Sequence, residues 1–236
     1  MNVLIINGSG SIGSELVKVS KKRGYNTIYT SKTKSENDSK TCIHWNYDGS
    51  NSVKELFKEV KSRFSELSAV ANCLGSILIK PGHLTSEAEF DHTLDINLKS
   101  SFYILKEAIP MMRKNGGNIL FFSSAAAKIG LVNHEAIAAA KSGVEGLVKS
   151  AAATYAKNNI TINALALGLV ESNLSKNMVS NPISLEMSKK MHSLGRIGSP
   201  QSVIKVAGEL LYNTDSWITG TTFRIDGGLS TTKLAS

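Results

Sequence analysis

Segments with strand and helix patterns alternate along the whole sequence, and this alternation restricts the chain to few architectures. Short apolar runs, of the kind found in parallel strands covered on both faces, predict strands at 3–6, 26–31, 41–45, 67–73, 119–122, 160–165 and up to 225. Helical patterns separate these runs, and neither a repeat nor a linker interrupts the series. The sequence therefore predicts one α/β domain over residues 1–236, a doubly wound parallel β-sheet with helices on both faces.

The length and composition agree with a single folded domain. A chain of 236 residues with 42% hydrophobic and 19% charged residues can bury a substantial core. No apolar run approaches the length of a membrane span. Strand-like residues begin at Val3 without a basic start or a cleavage site, so we expect no signal peptide. Cys42 and Cys73 lack metal-ligand spacing and lie in apolar strand segments, so we expect reduced thiols in a cytoplasmic protein without a metal site.

The formal net charge of +8 admits two interpretations. One is an anionic ligand, either a cofactor phosphate or an acyl group on a phosphate-bearing carrier. The other is an ordinary solvated basic surface. Because the lysines are scattered and no arginine-rich tract carries interleaved aromatic residues, we do not expect nucleic-acid binding.

A glycine-rich turn separates the first predicted strand from the first predicted helix. Residues 7–13 read Asn-Gly-Ser-Gly-Ser-Ile-Gly and contain the spacing Gly8-x-Gly10-x-x-Gly13. Between a strand and a helix this spacing favours dinucleotide binding, since the glycines allow a tight turn, a close approach to a pyrophosphate and close helix–strand packing. The helix N-terminus then faces the anion. We expect this loop to bind the cofactor through Gly8, Ser9, Gly10, Ser11, Ile12 and Gly13.

The end of the second predicted strand bears on the choice of nicotinamide cofactor. In NAD enzymes an acidic residue near this point binds the ribose 2′-hydroxyl. Here the strand runs into Ser31 and Lys32, followed by Lys34, and no carboxylate occurs before Glu36. Hydroxyl and ammonium groups suit a 2′-phosphate, so the sequence favours NADP over NAD. The alternative is that the lysines form only a solvated turn.

The stretch from Ser123 to Lys141 contains the most specific signal. A strand runs into a serine pair, a glycine-containing loop follows, and a helix then carries the lysine. This stretch resembles the active-site segment of the short-chain dehydrogenase/reductase family, which places a serine thirteen residues before a tyrosine and a lysine four residues after it. Ser124 and Lys141 match these positions, but the position of the tyrosine is occupied by Ile137, which cannot donate a proton.

Two further segments carry the same resemblance on the cofactor side. Residues 72–75, Asn-Cys-Leu-Gly, are similar to the Asn-Asn-Ala-Gly motif of the family and keep its first asparagine and its glycine. Asn46 falls where many members carry an aspartate that contacts adenine, and Tyr47 follows it. The resemblance implies cofactor contacts for Asn46, Tyr47, Asn72 and Gly75, although Asn72 and Gly75 are explained equally well as structural ties between loops.

The segment around Asn97 and the end of the sixth predicted strand also resemble the family. Asn97, in the segment Leu-Asp-Ile-Asn-Leu, matches an asparagine of the family's active site. The Pro-Gly pair of the family is Leu167-Gly168 here, and the C-terminal Asp-Gly-Gly is kept. The resemblance implies that Gly168 belongs to the cofactor site, that the backbone of Val170 meets the nicotinamide amide, and that Ser172 lies near the phosphates.

The resemblance implies a Rossmann-like fold and hydride transfer between nicotinamide and a carbonyl or activated alkene. In the family the serine orients the substrate oxygen, the lysine binds the ribose hydroxyls and lowers the pKa of the acid, and the asparagine holds a water that relays protons. These roles fall to Ser124, Lys141 and Asn97. We therefore expect an NADP-dependent reductase; the alternative is a nucleotide-binding scaffold or redox sensor with little or no turnover.

The missing acid leaves two candidates for the proton donor. His134 lies seven residues before Lys141, the offset at which the enoyl-reductase branch of the family carries its tyrosine. Histidine titrates near neutral pH and can protonate an oxyanion. The rival donor is a water held by Ser124 and Lys141 in the space of the phenol. Alternatively, the run Asn-His-Glu at this helix start is ordinary capping, with Glu135 favoured by the helix dipole.

Two expectations concern the surface. Residues 173–194 have little pattern and carry no glycine, and we expect them to form a substrate lid. The helices that carry Asn97 and Lys141 have broad apolar faces, and with the resemblance these faces predict a homo-oligomer, a tetramer or a dimer. A small-molecule or acyl-carrier substrate is the expected partner, without a membrane or nucleic acid.

Overall fold

A computed structural model describes residues 1–33 and 40–233. Within these residues the strands form one parallel sheet with the order β3-β2-β1-β4-β5-β6-β7. Their bounds are β1 Asn2–Ile6, β2 Asn26–Ser31, β3 Cys42–His44, β4 Ala69–Asn72, β5 Gly117–Ser124, β6 Ile160–Leu167 and β7 Thr222–Ile225. The predicted parallel sheet is confirmed.

Helices cover both faces of the sheet. They are α1 Ser11–Lys22, α2 Gly49–Arg63, α3 Glu87–Leu94, α4 Ser100–Met112, α5 Glu135–Tyr155, α6 Lys176–Val179, α7 Pro182–Met191 and α8 Pro200–Tyr212. Alternate residues of β1 point to opposite faces, as the period of a strand requires. Leu4 and Ile6 pack with α2, α4 and α5, whereas Val3 and Ile5 pack with α1 and α8. The doubly wound arrangement thus rests on two separate apolar cores.

The sheet order reverses beside β1, and this places a crevice at the carboxyl ends of the strands. β1 pairs with β2 on one side and with β4 on the other, so the connections leave it in opposite directions. Ligands of open α/β sheets bind at such a switch point. Because all strands are parallel, the loops after Ile6, Ser31, Asn72 and Ser124 emerge at one edge. These loops and the residues that flank them include Gly8 to Gly13, Ser31, Lys32, Asn72, Gly75, Ser124 and His134 among the sequence-predicted site residues.

A π-helical turn, Asp95–Lys99, joins α3 to α4. The amide of Ser100 donates to the carbonyl of Asp95, five residues back, which inserts one extra residue into the helical run. The hydroxyl of Tyr47 donates to the same carbonyl at 3.2 Å. At the start of α3, Ser86 and Glu89 form a capping box.

Several predicted bounds differ from the structure. Strand β5 runs two residues further at each end than the predicted 119–122. The region 173–194, which had no clear pattern, contains the helices α6 and α7. Cys42 is buried and Cys73 is half-buried, and the two do not form a disulfide. In the described part of the chain no helix is both long and apolar enough to cross a membrane.

Candidate functional site

The glycine loop after β1 is built by close contacts that exclude side chains. Asn7 has a φ of 56°, and its carbonyl accepts a hydrogen bond from the amide of Gly10 at 3.0 Å. A Cβ at Gly8 would lie 2.5 Å from the Cβ of Tyr29, and one at Gly13 would lie 2.3 Å from the carbonyl oxygen of Asn7. Gly13 therefore allows the close approach of helix and strand that the sequence predicted. Gly8 has a different role from the predicted one, because the absence of a Cβ there leaves room for the side chain of Tyr29 on β2.

The N-terminus of α1 opens toward this loop with the properties of an anion site. Gly10 is the N-cap residue, no side chain caps the helix, and its first turn contains no acidic residue. The amide groups of the first helical turn and the positive end of the helix dipole both favour an anion. The hydroxyl of Ser11 accepts from the amide of Asn173 at 3.0 Å, so this helix start also holds the segment that follows β6.

The end of β2 separates the two residues that the sequence assigned to a 2′-phosphate. Ser31 is buried, and its hydroxyl accepts from the amide of Thr33 at 3.2 Å. Lys32 and Thr33 are exposed, and residues 31–33 contain no carboxylate. Lys32 is thus more accessible than Ser31 to a ligand at this edge. Lys34 and Glu36, which entered the same argument, lie outside the described residues.

Of the four residues predicted to contact the cofactor after β3 and β4, two hold the protein's own elements together. Asn72 is buried; its amide donates to the hydroxyl of Ser101 at 3.1 Å, and its carbonyl oxygen accepts from the amide of Leu74. Tyr47 donates to Asp95, and burial raises the pKa of its phenol far above the usual range. Asn46 is exposed.

Asn97 and Lys141 come together around Gly75. A Cβ at Gly75 would lie 3.4 Å from the side-chain oxygen of Asn97 and 3.8 Å from the Nζ of Lys141. The Asn97 amide donates to the Ser76 hydroxyl and the Thr93 carbonyl, both at 2.9 Å, while its oxygen accepts from the Ser76 amide at 3.2 Å. Both amide protons are used within the protein, so the side chain is held rigidly.

Lys141 is the most unusual charged group of the site. It is only 8% exposed, which excludes the solvated helix face, and its Nζ donates to the Phe122 carbonyl at 2.9 Å. Among the described residues no carboxylate pairs with it. Burial lowers the pKa of this ammonium group to about 8. The group can therefore donate or accept a proton near neutral pH.

The other candidate residues of the stretch 123–141 occupy distinct environments. Ser124 ends β5, and its hydroxyl accepts from the amide of Ala126 at 3.2 Å, a capping contact. Ile137 is 5% exposed, so its apolar side chain is buried. His134 is the N-cap residue of α5, but its side chain does not cap the helix; Nδ1 lies 2.7 Å from the carbonyl of Val132.

A buried carboxylate beneath this segment escaped the sequence analysis. Glu145, 4% exposed, lies one helical turn after Lys141 on α5. It accepts from the hydroxyl of Ser123 at 2.9 Å and pairs with Lys128 at 2.8 Å. These contacts join α5 to the end of β5 and to the loop that follows. No local sequence signal identifies them, because the partners are 17 and 22 positions away.

The segment after β6 forms a compact turn against residues 197–198. Val170 pairs with Gly198 in an isolated parallel bridge, and its carbonyl accepts from the hydroxyl of Ser175 at 2.6 Å. Ser172 exchanges hydrogen bonds with Ser175. A Cβ at Gly168 would lie 2.6 Å from the Nε2 of His192. Sequence reasoning did not identify Ser175 or His192.

Taken together, the residues of this edge fit a dinucleotide. The glycine loop and the start of α1 offer backbone amides for phosphates, and a Cβ at Gly10 would fill space 2.9 Å from the Asn7 side chain. A cluster of three or more histidine, cysteine or acidic side chains suited to a metal does not occur in the part of the chain that the structure describes. The arrangement can bind an anionic ligand beside a buried, titratable amine.

Comparisons with known proteins are consistent with this geometry. A family model described as enoyl-(acyl carrier protein) reductase matches residues 8–230. A 3-oxoacyl-[acyl-carrier-protein] reductase of Staphylococcus aureus is 29% identical over 97% of each chain. The structure of ElxO with NADP bound is 25% identical over 97% of this chain and 98% of that chain, with a TM-score of 0.88. A 4-hydroxyisoleucine dehydrogenase mutant complexed with NADH and succinate shares the fold, with a TM-score of 0.91 at 23% identity over 99% of this chain and all of that chain.

Proposed function

The chain belongs to the short-chain dehydrogenase/reductase family of oxidoreductases, and on this premise we propose that it is an NADPH-dependent reductase of a carbonyl or enoyl substrate. The observation that carries the proposal is the placement of Lys141. This lysine is buried beside Asn97 and Gly75, at the same edge of the sheet as the glycine loop and the start of α1. A lysine buried without a carboxylate partner is unfavourable in the fold and therefore points to a ligand or a reaction.

Each candidate residue has a proposed role. The amides of the glycine loop and of α1 hold the phosphates, and the backbone of Val170 faces the nicotinamide. When bound, the cofactor supplies the hydride. Ser124 orients the substrate oxygen, for which its hydroxyl hydrogen is available, since the hydroxyl accepts rather than donates in its capping contact. Lys141 holds the ribose hydroxyls and a water, and Asn97 fixes the wall of the site beside it.

The proton reaches the substrate oxygen from that water, and the ammonium group of Lys141 then returns a proton to the water. A pKa of about 8 matches a general acid near neutral pH better than an ordinary lysine does. His134 remains the second candidate, since its Nδ1 contacts Val132 and leaves Nε2 available. Comparing His134→Ala with Lys141→Ala tests the assignment. Full kcat/KM and an unchanged pH profile in His134→Ala, with activity lost in Lys141→Ala, exclude the histidine.

A substrate screen tests the proposed reaction itself. The protein is mixed with NADPH and a panel of carbonyl and enoyl compounds, including acyl groups on an acyl carrier protein, and absorbance at the nicotinamide band is followed. The proposal predicts oxidation of NADPH with at least one class. Because Ile137 replaces the usual acid, the alternative is a nucleotide-binding scaffold or sensor. Binding of NADPH without oxidation across the whole panel favours that alternative.

The preference for NADPH rests on Lys32, which is exposed at the end of β2 where residues 31–33 contain no carboxylate. A charge-assisted contact to the 2′-phosphate contributes about 1.5–3 kcal/mol, or roughly 10- to 150-fold in affinity. Titration should therefore give a lower Kd for NADPH than for NADH, and Lys32→Glu should remove most of the difference. Lys54→Glu, an equal change of charge at an exposed position of α2, is the control. Equal Kd values for the two cofactors in the unmodified protein would refute the preference.

We also propose that the protein assembles with itself through α4 and α5. Phe102 on α4 is 50% exposed. A cavity of about 410 Å³ lies beside it, lined by Ile109, Pro110 and Tyr155 among others. An isologous pairing of these helices is a common symmetric solution. Light scattering at micromolar concentration should give the mass of a dimer or tetramer, and Phe102→Glu should lower it. A monomeric mass for the unmodified protein is the contrary result.

A further inference from the structure

His192 joins two parts of the chain that belong to different elements. It follows the last residue of α7 and is only 3% exposed. Its Nε2 lies 3.1 Å from the backbone nitrogen of Leu169, in the loop after β6, and Nδ1 lies 2.6 Å from the carbonyl oxygen of Ser188, within α7. One imidazole ring therefore connects α7, the main helix of the expected lid, to residues 168–172.

The two partners fix the protonation of this ring. The Ser188 carbonyl can only accept, so Nδ1 must carry a hydrogen. The Leu169 amide can only donate, so Nε2 must be without one. Only the neutral tautomer protonated at Nδ1 satisfies both bonds. A second proton would place an N–H group against the N–H of Leu169 and would break the connection to the loop.

Charged side chains lie close to the ring. His192 borders a cavity of about 370 Å³ that is also lined by Arg196, Arg224 and Asp226. The Asp226 carboxylate is already occupied by the turn that follows it, where it accepts hydrogen bonds from the amides of Gly228 and Ser230 and from the hydroxyl of Ser230. The charged residues of α7 itself are Glu186, Lys189 and Lys190, of which Glu186 and Lys189 form an ion pair.

The loop also has little room to move while the ring is in place. A Cβ at Gly168 would lie 2.6 Å from Nε2 of His192 and 3.0 Å from the Cα of Asp226. The amide of Glu171 donates to the carbonyl of Gly198, and that of Gly198 to the carbonyl of Leu169. The loop is thus bounded by the imidazole on one side and by residues 197–198 on another.

From this geometry we propose that His192 is a positioning residue that holds the loop 168–172 against the lid helix, and that it does so only in its neutral form. The inference rests on the proposed function, namely that this loop faces the nicotinamide, and on the expectation that residues 173–194 form a lid. The position of this segment and the grip on the cofactor are then coupled through one side chain.

Two substitutions of His192 each keep one of its two hydrogen bonds and remove the other. In His192→Gln the side-chain oxygen reaches the place of Nε2, so an acceptor for the Leu169 amide is kept while the donor to Ser188 is lost. In His192→Asn the side-chain amide reaches the place of Nδ1, so the donor to Ser188 is kept and the acceptor for Leu169 is lost. Amide hydrogen exchange of peptides covering 168–172 is measured without nucleotide, and the Kd for NADPH is measured by titration at pH 7.5.

The proposal predicts an asymmetric result. His192→Asn should lose exchange protection at 168–172 and bind NADPH about tenfold more weakly at pH 7.5, as expected for an unpaired buried amide. His192→Gln should keep the exchange protection at 168–172 and the affinity for NADPH within about twofold of the unmodified protein.

Other outcomes overturn the proposal. Unchanged exchange and affinity in both variants show that the ring holds nothing, and equal losses in both show a general packing role. If the unmodified protein binds neither NADPH nor NADH, the proposed function fails, but the exchange comparison, made without nucleotide, still decides whether His192 holds the loop.

Discussion

Replacing Lys141 by methionine should make the protein more stable while removing its activity. The ammonium group is buried without a carboxylate, and burial lowers its pKa from 10.5 to about 8. At roughly 1.4 kcal/mol for each tenfold change in protonation, this shift corresponds to about 3 kcal/mol of destabilisation when the group is charged. Loss of the hydrogen bond to the Phe122 carbonyl offsets about 1 kcal/mol. Lys141→Met should thus raise the free energy of unfolding at pH 7 by about 2 kcal/mol.

The dependence on pH follows from the direction of the shift. Below pH 8 both the folded and the unfolded chain carry the proton, and the folded state bears the whole penalty. Between pH 8 and 10.5 the unfolded chain binds more protons than the folded one, so stability rises with pH. Above 10.5 neither state is charged and the penalty disappears. The advantage of Lys141→Met over the unmodified protein should therefore shrink across this interval.

Urea unfolding of the nucleotide-free protein at pH 7 and pH 10.5, at one fixed protein concentration, measures both effects. Lys149→Met is the matched control, because Lys149 lies on the same helix and is exposed. Other groups that titrate in this range contribute equally to all three proteins and cancel in the differences. A Lys141→Met protein that is less stable at pH 7, or an advantage that is the same at both pH values, would refute the reasoning.

Three further predictions concern the same edge of the molecule. Ile137→Tyr should raise kcat on an accepted substrate by about 10²-fold or more by restoring an acid beside Lys141, whereas Ile137→Phe, equal in bulk, should not; equal rates would contradict this. Gly13→Ala should abolish NADPH binding in a titration, because its Cβ would lie 2.3 Å from the Asn7 carbonyl oxygen, while Gly146→Ala, with open space around its Cβ, should bind normally. Glu145→Ala should lower the free energy of unfolding by about 3 kcal/mol, because it leaves Ser123 and the partly buried Lys128 without their shared partner; a loss under about 1 kcal/mol would show that water replaces the carboxylate.

The sequence predicts the sheet well because its signals are local. The bounds of β2 agree with the prediction because an apolar run ends there in hydroxyl and charged residues. The capping box at Ser86 also needs only four consecutive residues. Helices α6 and α7 are not predicted, because their local periodicity is weak and they pack on the surface of the domain.

For the candidate site, the sequence indicates residue types and their spacing but not their arrangement in space. The spacing of Ser124 and Lys141 marks the segment, but the burial of Lys141 and its contact with the Phe122 carbonyl arise from the packing of α5 on β5. Glu145 and His192 depend on partners 17 to 23 positions away, and no pattern along the chain indicates such pairs. Long-range contacts of single polar side chains are the part of the site that only coordinates reveal.

The π-helical turn between α3 and α4 makes the length of the chain critical at one point. An extra residue in a helical run turns everything before it by about 100° relative to everything after it. Asn97 lies within this turn and is directed to Ser76 and Thr93, while the following helix keeps Ile104 and Leu105 in the core. Removing a single residue from Asp95–Lys99 would leave a more regular helix and would rotate Asn97 away from the site. Relatives that differ in length by one residue here should therefore place this asparagine differently beside the lysine, even where every residue type of the candidate site is the same.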